Sequence, residues 1–310
     1  KIVRPNPVGQ RHFVRSNVDG CFFVGTVGGG KELSINELVL TPDGWVKNGT
    51  LKTGDVVCTP FGEPTKILQV FPHKNKDIYT LKTSDGRECM CGLDHLWEVR
   101  TRKQVHKYRQ HGENQHFMVM TTRELIDGMS QGKNYYMPIP KAQQFSEKEY
   151  VIPPYVLGVL IGDGCLTEKN SNNYLLISNT EKDILDKVAK ITDTERIREE
   201  NTNYNKYFYF AKARKYKDYL RNIGLLDYSY NRFMPQEYLW GSIEQRRQLL
   251  YGLMDTGGCV ENKNRYSYST TGERLKDDFA YLCRRLGYIT TVGVDERKGN
   301  YKTEATYNIR

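Results

Sequence analysis

The pattern of apolar and polar positions changes along the chain near residue 150. Between residues 32 and 100 the apolar residues come in short runs: DVVCTPF (55–61), TKILQVFP (65–72), DIYTLKTSDG (77–86) and HLWEVRT (95–101). Gly, Pro, Asp and Asn separate them. Runs of this length between turn residues predict short strands in an all-β unit. Beyond residue 150 the runs lengthen to helical size and occur twice. YVLGVLIGDGCLT (155–167) is similar to QLLYGLMDTGGCV (248–260). Each is followed by a strand-like stretch, NYLLISNT (173–180) or NRYSYSTT (264–271), and then by a helix-like one, 181–192 or 272–288. An internal duplication of this kind predicts two similar halves packed about their first helices.

The duplicated helices carry the first chemical hint. Aligned on their glycines, Gly158 matches Gly252, Asp163 matches Gly257 and Gly164 matches Gly258. Small residues at matched positions let two helices approach backbone to backbone. An acid at the end of such a helix would lie near the axis between the halves. Two acids there can hold divalent metals that activate water and stabilise the leaving oxygen of a phosphodiester. Hard oxygen ligands favour Mg2+. The plainer alternative is a buried glycine-bearing helix pair with one structural acid.

Composition sharpens the picture. The chain has 310 residues and a formal net charge of +9, a balance that suits a polyanionic partner. The stretch NKYFYFAKARKYKDYLR (205–221) interleaves basic and aromatic residues. Lys206, Lys212, Arg214, Lys215 and Lys217 there are candidate phosphate contacts. Residues 101–150 are polar and read as a linker, a DNA-contacting insertion or a solvated loop. No stretch approaches the roughly 20 apolar residues of a membrane span. The cysteines are scattered, with no C-x-x-C pair, so neither a zinc site nor a disulfide framework is indicated. An intracellular, cytoplasmic setting is expected.

Both duplicated segments resemble the signature of LAGLIDADG homing endonucleases, V-L-G-V-L-I-G-D-G at 156–164 and L-Y-G-L-M-D-T-G-G at 250–258. The approach to the second helix, RFMPQEYLWGSIEQRRQ (232–248), also resembles the family. The resemblance covers about 146–310, with halves near 151–235 and 236–310. It implies an α+β fold, a pseudo-symmetric duplicated αββαββ saddle over double-stranded DNA, working as a monomer with an internal pseudo-twofold axis. It also implies Mg2+-dependent phosphodiester hydrolysis. Asp163 is the expected acid. The carbonyls of Gly162 and Thr256 are candidate metal ligands, and Arg232 a candidate DNA contact. Gly257 stands where the family has its second acid. Asp255 sits two positions earlier, about 200° away around a helix, so it is not a simple substitute. Impaired cleavage or nicking is expected, and a catalytically silent DNA-binding protein of the same fold is the alternative.

The region before it, 32–145, resembles the N-terminal splicing blocks of inteins, a partial all-β Hint domain. LSINELVLTPDGWVKNGTLKTGDVV (33–57) resembles the first block and DGRECMCGLDHLWEV (85–99) the second, with His95 at the splicing histidine. The resemblance asks for Cys or Ser at position 32, where Glu32 stands. A carboxylate cannot perform the acyl shift of a thiol or hydroxyl. It also asks for Thr at 92, where Gly92 stands. The chain as given is therefore expected not to splice.

Residues 1–31 end in GTVGGGK, in which Gly25, Gly30 and Lys31 hold the spacing of a phosphate-binding loop but lack the following hydroxyl and helix. An intein inserted straight after Lys31 explains the interruption. The flanking host then resembles a P-loop ATPase, such as a phage terminase large subunit. ATPase activity in this chain itself is a remote alternative.

Overall fold

Short hairpins dominate the first of two units, Lys1–Gln143; the second is Gln144–Arg310. The computed structural model describes residues 12–15, 32–59, 63–72, 77–84, 87–111, 117–137, 141–167, 175–194, 206–209, 213–262, 265–295 and 306–309.

The first unit contains β1 (His12–Arg15), β2 (Leu38–Thr41), β3 (Gly44–Lys47), β4 (Val56–Cys58), β5 (Pro64–Lys66), β6 (Tyr79–Lys82), β7 (Glu88–Cys91) and β8 (Leu96–Thr101). After these come α1 (Arg102–His111), β9 (Met118–Thr121), α2 (Thr122–Ser130) and β10 (Tyr135–Tyr136). All pairings are antiparallel, in sheets ordered β1-β6-β7, β10-β8-β9, β2-β3 and β4-β5. Leu81, Cys89, Cys91, Trp97, Val99, Leu125 and Tyr135 form the core. Over residues 32–100 the described elements are strands and one short 3-10 turn, as the runs predict. The polar stretch after residue 100 folds into α1 and α2. A capping box explains α2: Thr121 accepts from the Glu124 amide, Glu124 reaches back, and Leu125 anchors the helix in the core. The cysteines also depart from expectation, since Cys89 is disulfide-bonded. Cys58, Cys91, Cys165, Cys259 and Cys283 are free.

The second unit runs α3 (Pro154–Asp163), β11 (Leu176–Asn179), α4 (Lys182–Thr192), β12 (Lys206–Tyr209), α5 (Ala213–Asn222), α6 (Gln236–Leu239) and α7 (Ile243–Gly257). It continues with β13 (Gly258–Asn262), β14 (Arg265–Thr270), α8 (Glu273–Arg285), β15 (Val292–Asp295) and β16 (Thr306–Ile309). From α7 onward the order is helix, two strands, helix, two strands, over a sheet ordered β13-β14-β16-β15. Before α7, the described strands β11 and β12 pair antiparallel, and Gly164 bridges to Ile177.

The centre of this unit is the pair α3 and α7. Helix α3 starts on Pro154, whose fixed φ suits a first helical turn. It is buried on every side from Tyr155 to Ile161. Helix α7 starts on a capping box between Ser242 and Gln245. The two cross where both lack side chains. A Cβ on Gly158 would lie 3.0 Å from Gly252 Cα and 2.9 Å from Leu253 N, and one on Gly252 would lie 2.9 Å from Val159 N. Amphipathic α4 and α8 bury Ile184, Leu185 and Val188, and Leu275, Phe279 and Leu282.

Candidate functional site

The C-terminal ends of α3 and α7 lie side by side. At Gly162 an added Cβ would lie 2.6 Å from Thr256 Cβ, so the close approach continues to the last turn. Asp163 is the final residue of α3 and is half-buried. Its carboxylate accepts from Asn179 Nδ2 at 2.6 Å, at the end of β11. Burial raises the Asp163 pKa, while Asn179 and the Arg232 charge pull it down. Asn179 was not singled out from sequence; only its place at the end of a strand-like run pointed there.

Arg232 occupies a different place from the expected DNA contact. It is 9% exposed and lies against the end of α3. Its guanidinium donates to the carbonyls of Ile161 (2.6 Å), Gly162 (2.9 Å) and Gly164 (2.7 Å). A cation at a helix C-terminus satisfies carbonyls that lack intrahelical partners and complements the helix dipole. The Gly162 carbonyl, a candidate metal ligand, thus already accepts from an arginine.

The end of α7 differs. Gly257 offers no side chain, and a Cβ there would lie 2.7 Å from Tyr268 Cε2 and 3.3 Å from its Cδ2. Tyr268 is buried and stacks on Phe279 with ring centroids 4.1 Å apart. Burial raises its pKa, Arg232 opposes this and Asp163 adds to it, so the hydroxyl feels both charges. Asp255 is engaged by other groups. It accepts from Tyr155 Oη at 2.7 Å and pairs with Lys187 at 3.5 Å, while the Lys187 ammonium lies 3.7 Å from the Tyr155 ring centroid. The Thr256 hydroxyl donates back to the Gly252 carbonyl at 2.9 Å. Gly162, Arg232, Thr256, Gly257 and Tyr268 line a recess of about 270 Å³ together with hydroxyls of β14 and its neighbours.

Among the described residues, no three His, Cys, Asp or Glu side chains converge as a metal centre would need. At the final residues of the two helices there is one carboxylate, that of Asp163, with a guanidinium on the adjacent carbonyls and an aromatic ring beside the other helix end. These groups do not fit a pair of divalent cations.

Basic candidates sort by position. Arg214 and Lys215 are exposed on α5, whereas Lys217 is buried. Strand register sets Lys206 opposite Asn179. Lys212, and Gly25, Gly30 and Lys31 of the phosphate-loop remnant, lie outside the described residues. On the second sheet, cross-strand partners share a face. Tyr268, Ile309 and Gly258 form part of the inner face, and Cys259, Ser267, Ser269 and Asn308 part of the outer one. The Ser269 hydroxyl donates to Asn308 Oδ1 at 2.7 Å, which fixes that amide for hydrogen bonding from the outer face.

In the first unit, Glu32 lies against Gly92, its carbonyl accepting from the Gly92 amide at 2.6 Å. Leu33 bridges to Cys91. His95 is fully buried beside Trp97, and burial lowers its pKa to about 4. Glu32 thus meets, across some sixty positions of chain, the loop in which the His95 amide donates to the Gly92 carbonyl.

Residues 244–310 match the family described as LAGLIDADG-like domain. The chain is 28% identical over 299 residues to the replicative DNA helicase DnaB of Mycobacterium intracellulare. That alignment takes in 91% of the chain and 47% of the helicase, so the chain spans about half the length of this relative. Among solved structures, I-DmoI in complex with DNA and manganese is 13% identical, with a TM-score of 0.33 over 52% of this chain and 89% of that one. A mesophilic variant of the homing endonuclease I-DmoI is 14% identical, with a TM-score of 0.34 over 51% of this chain and 84% of that one. No described helix is long and apolar enough to cross a membrane.

Proposed function

We propose that residues 144–310 bind duplex DNA as a LAGLIDADG-type module whose double-strand cutting centre is lost, leaving nicking of one strand at most. The asymmetry at the crossed helices carries this reading: Asp163 ends α3, and Gly257 beneath Tyr268 ends α7. Losing one carboxylate and the metal it would hold costs several kcal/mol of transition-state stabilisation, and about 4 kcal/mol is roughly a thousandfold in rate. The +9 charge and the exposed Arg214 and Lys215 supply attraction to phosphates.

The module sits in an intein interrupting a P-loop ATPase after Lys31. Similarity to a replicative helicase along 91% of the chain favours a helicase host over a terminase. With Glu32 in place of the nucleophile, this intein does not splice.

The test uses the full chain and a supercoiled plasmid carrying the uninterrupted host-gene sequence. Retarded migration of a duplex from that site is expected, with no linear plasmid and at best slow nicking that D163N removes. Linear product at an ordinary enzymatic rate would overturn the reading.

A further inference from the structure

We propose that Tyr268 is the residue that closes the second acid's place, so that positions 257 and 268 act as one lock. The inference rests on the reading of α3 and α7 as the acid-bearing pair.

The two helix ends are followed by the same construction. Gly164 after α3 pairs with Ile177, and Gly258 after α7 pairs with Tyr268. Ile177 and Tyr268 are therefore counterparts, each on the strand that covers the last residue of its helix. On the strand after α3 the counterpart is an aliphatic side chain, fully buried, two residues from the Asn179 that donates to Asp163. Beside residue 257 it is an aromatic ring whose edge reaches the space of a Cβ.

The ring has no easy retreat. Its strand is held by β13 on one side and β16 on the other, with Gly258 and Ile309 as its direct partners. Phe279 stacks against its face at an interplanar angle of 6°. A contact of 2.7 Å with a buried ring edge requires the ring itself to move. An aspartate at 257 thus conflicts with Tyr268 before it can meet a cation, and restoring the acid alone does not restore the site. The combination that fits is the one the first helix already has, an acid with an aliphatic counterpart.

Four full-length proteins test this: the chain as given, G257D, Y268I and the double variant. Isoleucine suits a strand and keeps an apolar contact with Phe279. Unfolding measured across the cycle reads the steric coupling without reference to any activity. Electron paramagnetic resonance counts Mn2+ ions bound to each protein on a host-site duplex. The expected result is that G257D alone lowers the unfolding midpoint and binds no additional Mn2+, while the double variant recovers stability relative to G257D and binds one further equivalent. Should the isoleucine variants fold poorly, Y268L replaces them in the same cycle. An additional ion bound by G257D alone, or no additional ion bound by a folded double variant, would overturn the lock. Plasmid nicking is scored separately. If no variant nicks while the coupling and ion count hold, the cutting role of the helix pair fails and the lock stands.

Discussion

The Glu32 side chain fills the room that a side chain on residue 92 would need: a Cβ on Gly92 would lie 2.6 Å from Glu32 Cβ and 2.9 Å from its Cδ. The two departures from the splicing pattern are therefore a matched pair. Threonine at 92 with Glu32 present would clash.

This pairing predicts that splicing chemistry returns only as a double change. The chain as given should show an unaltered mass after prolonged incubation with dithiothreitol or hydroxylamine. E32C/G92T should acquire thiol-induced cleavage between residues 31 and 32, and E32C alone far less. G92T alone should lower the unfolding midpoint. Release of a fragment ending at Lys31 from the unaltered chain would refute the reading.

The first unit also buries a carboxyl group without compensation. Glu37 is fully buried, and among the described residues neither side-chain oxygen has a hydrogen-bond partner. Burial pushes its pKa up to about 8. The folded state then holds a proton that the unfolded state releases above the ordinary carboxyl range, so stability falls as pH rises from about 4.5 towards 8. His95 works in the opposite sense. Its pKa of about 4 in the folded state means stability is lost as pH falls from 6.5 towards 4. The two offset each other at acid pH, leaving Glu37 to act alone between about 6.5 and 8. Once intrinsic base-catalysed exchange is divided out, the opening free energy read from amide exchange along β7 and β8 should fall across that interval by at most about 2 kcal/mol. E37Q should flatten the dependence. An identical slope in E37Q would show that another group titrates.

The crossing of α3 and α7 is tight enough to reject a methyl group. G252A would press Cβ against the α3 backbone near Tyr155 and Val159, and G158A would press against Leu249 and Leu253. Each should lower stability by about 1–3 kcal/mol, the usual range for overpacking. G132A provides a control of a different kind: its space is open, but its φ of 79° penalises any side chain. Denaturant midpoints unchanged by G158A and G252A would mean that the helices do not meet at these glycines.

The helix pair was readable because its cause is local: matched glycines in two apolar runs specify a close crossing wherever the runs meet. Asp163 was readable for the same reason, as the acid ending one run. Helices α1 and α2 were hidden by polarity. Only Thr121 and Glu124, spaced as a capping box, marked one of them. Tyr268 and Arg232 were not readable as members of the site. The ring reaches Gly257 through the register of β13 on β14, and the guanidinium reaches α3 across some seventy positions of chain. Neither depends on a periodicity that a single sequence carries. Arg232 looked like a surface cation because the groups that hold it are distant in sequence. Its acceptors are carbonyls left open by the end of another helix.

That placement separates Arg232 from the exposed cations in a salt titration. A side chain that contacts phosphate releases counterions, and removing it should lower the slope of log K against log salt by about 0.9. R214Q and K215Q should each do so if their residues touch the duplex, with little change in folding, because both side chains are exposed. R232Q should behave in reverse. It leaves the carbonyls of Ile161, Gly162 and Gly164 without their donors, and each unsatisfied buried group costs about 1–3 kcal/mol. The unfolding midpoint should drop clearly, while the salt slope of the remaining folded protein stays unchanged. Measured at a temperature where circular dichroism shows R232Q fully folded, a slope reduced by about one unit would mean that Arg232 touches phosphate. The guanidinium would then have to leave the end of α3 when DNA binds.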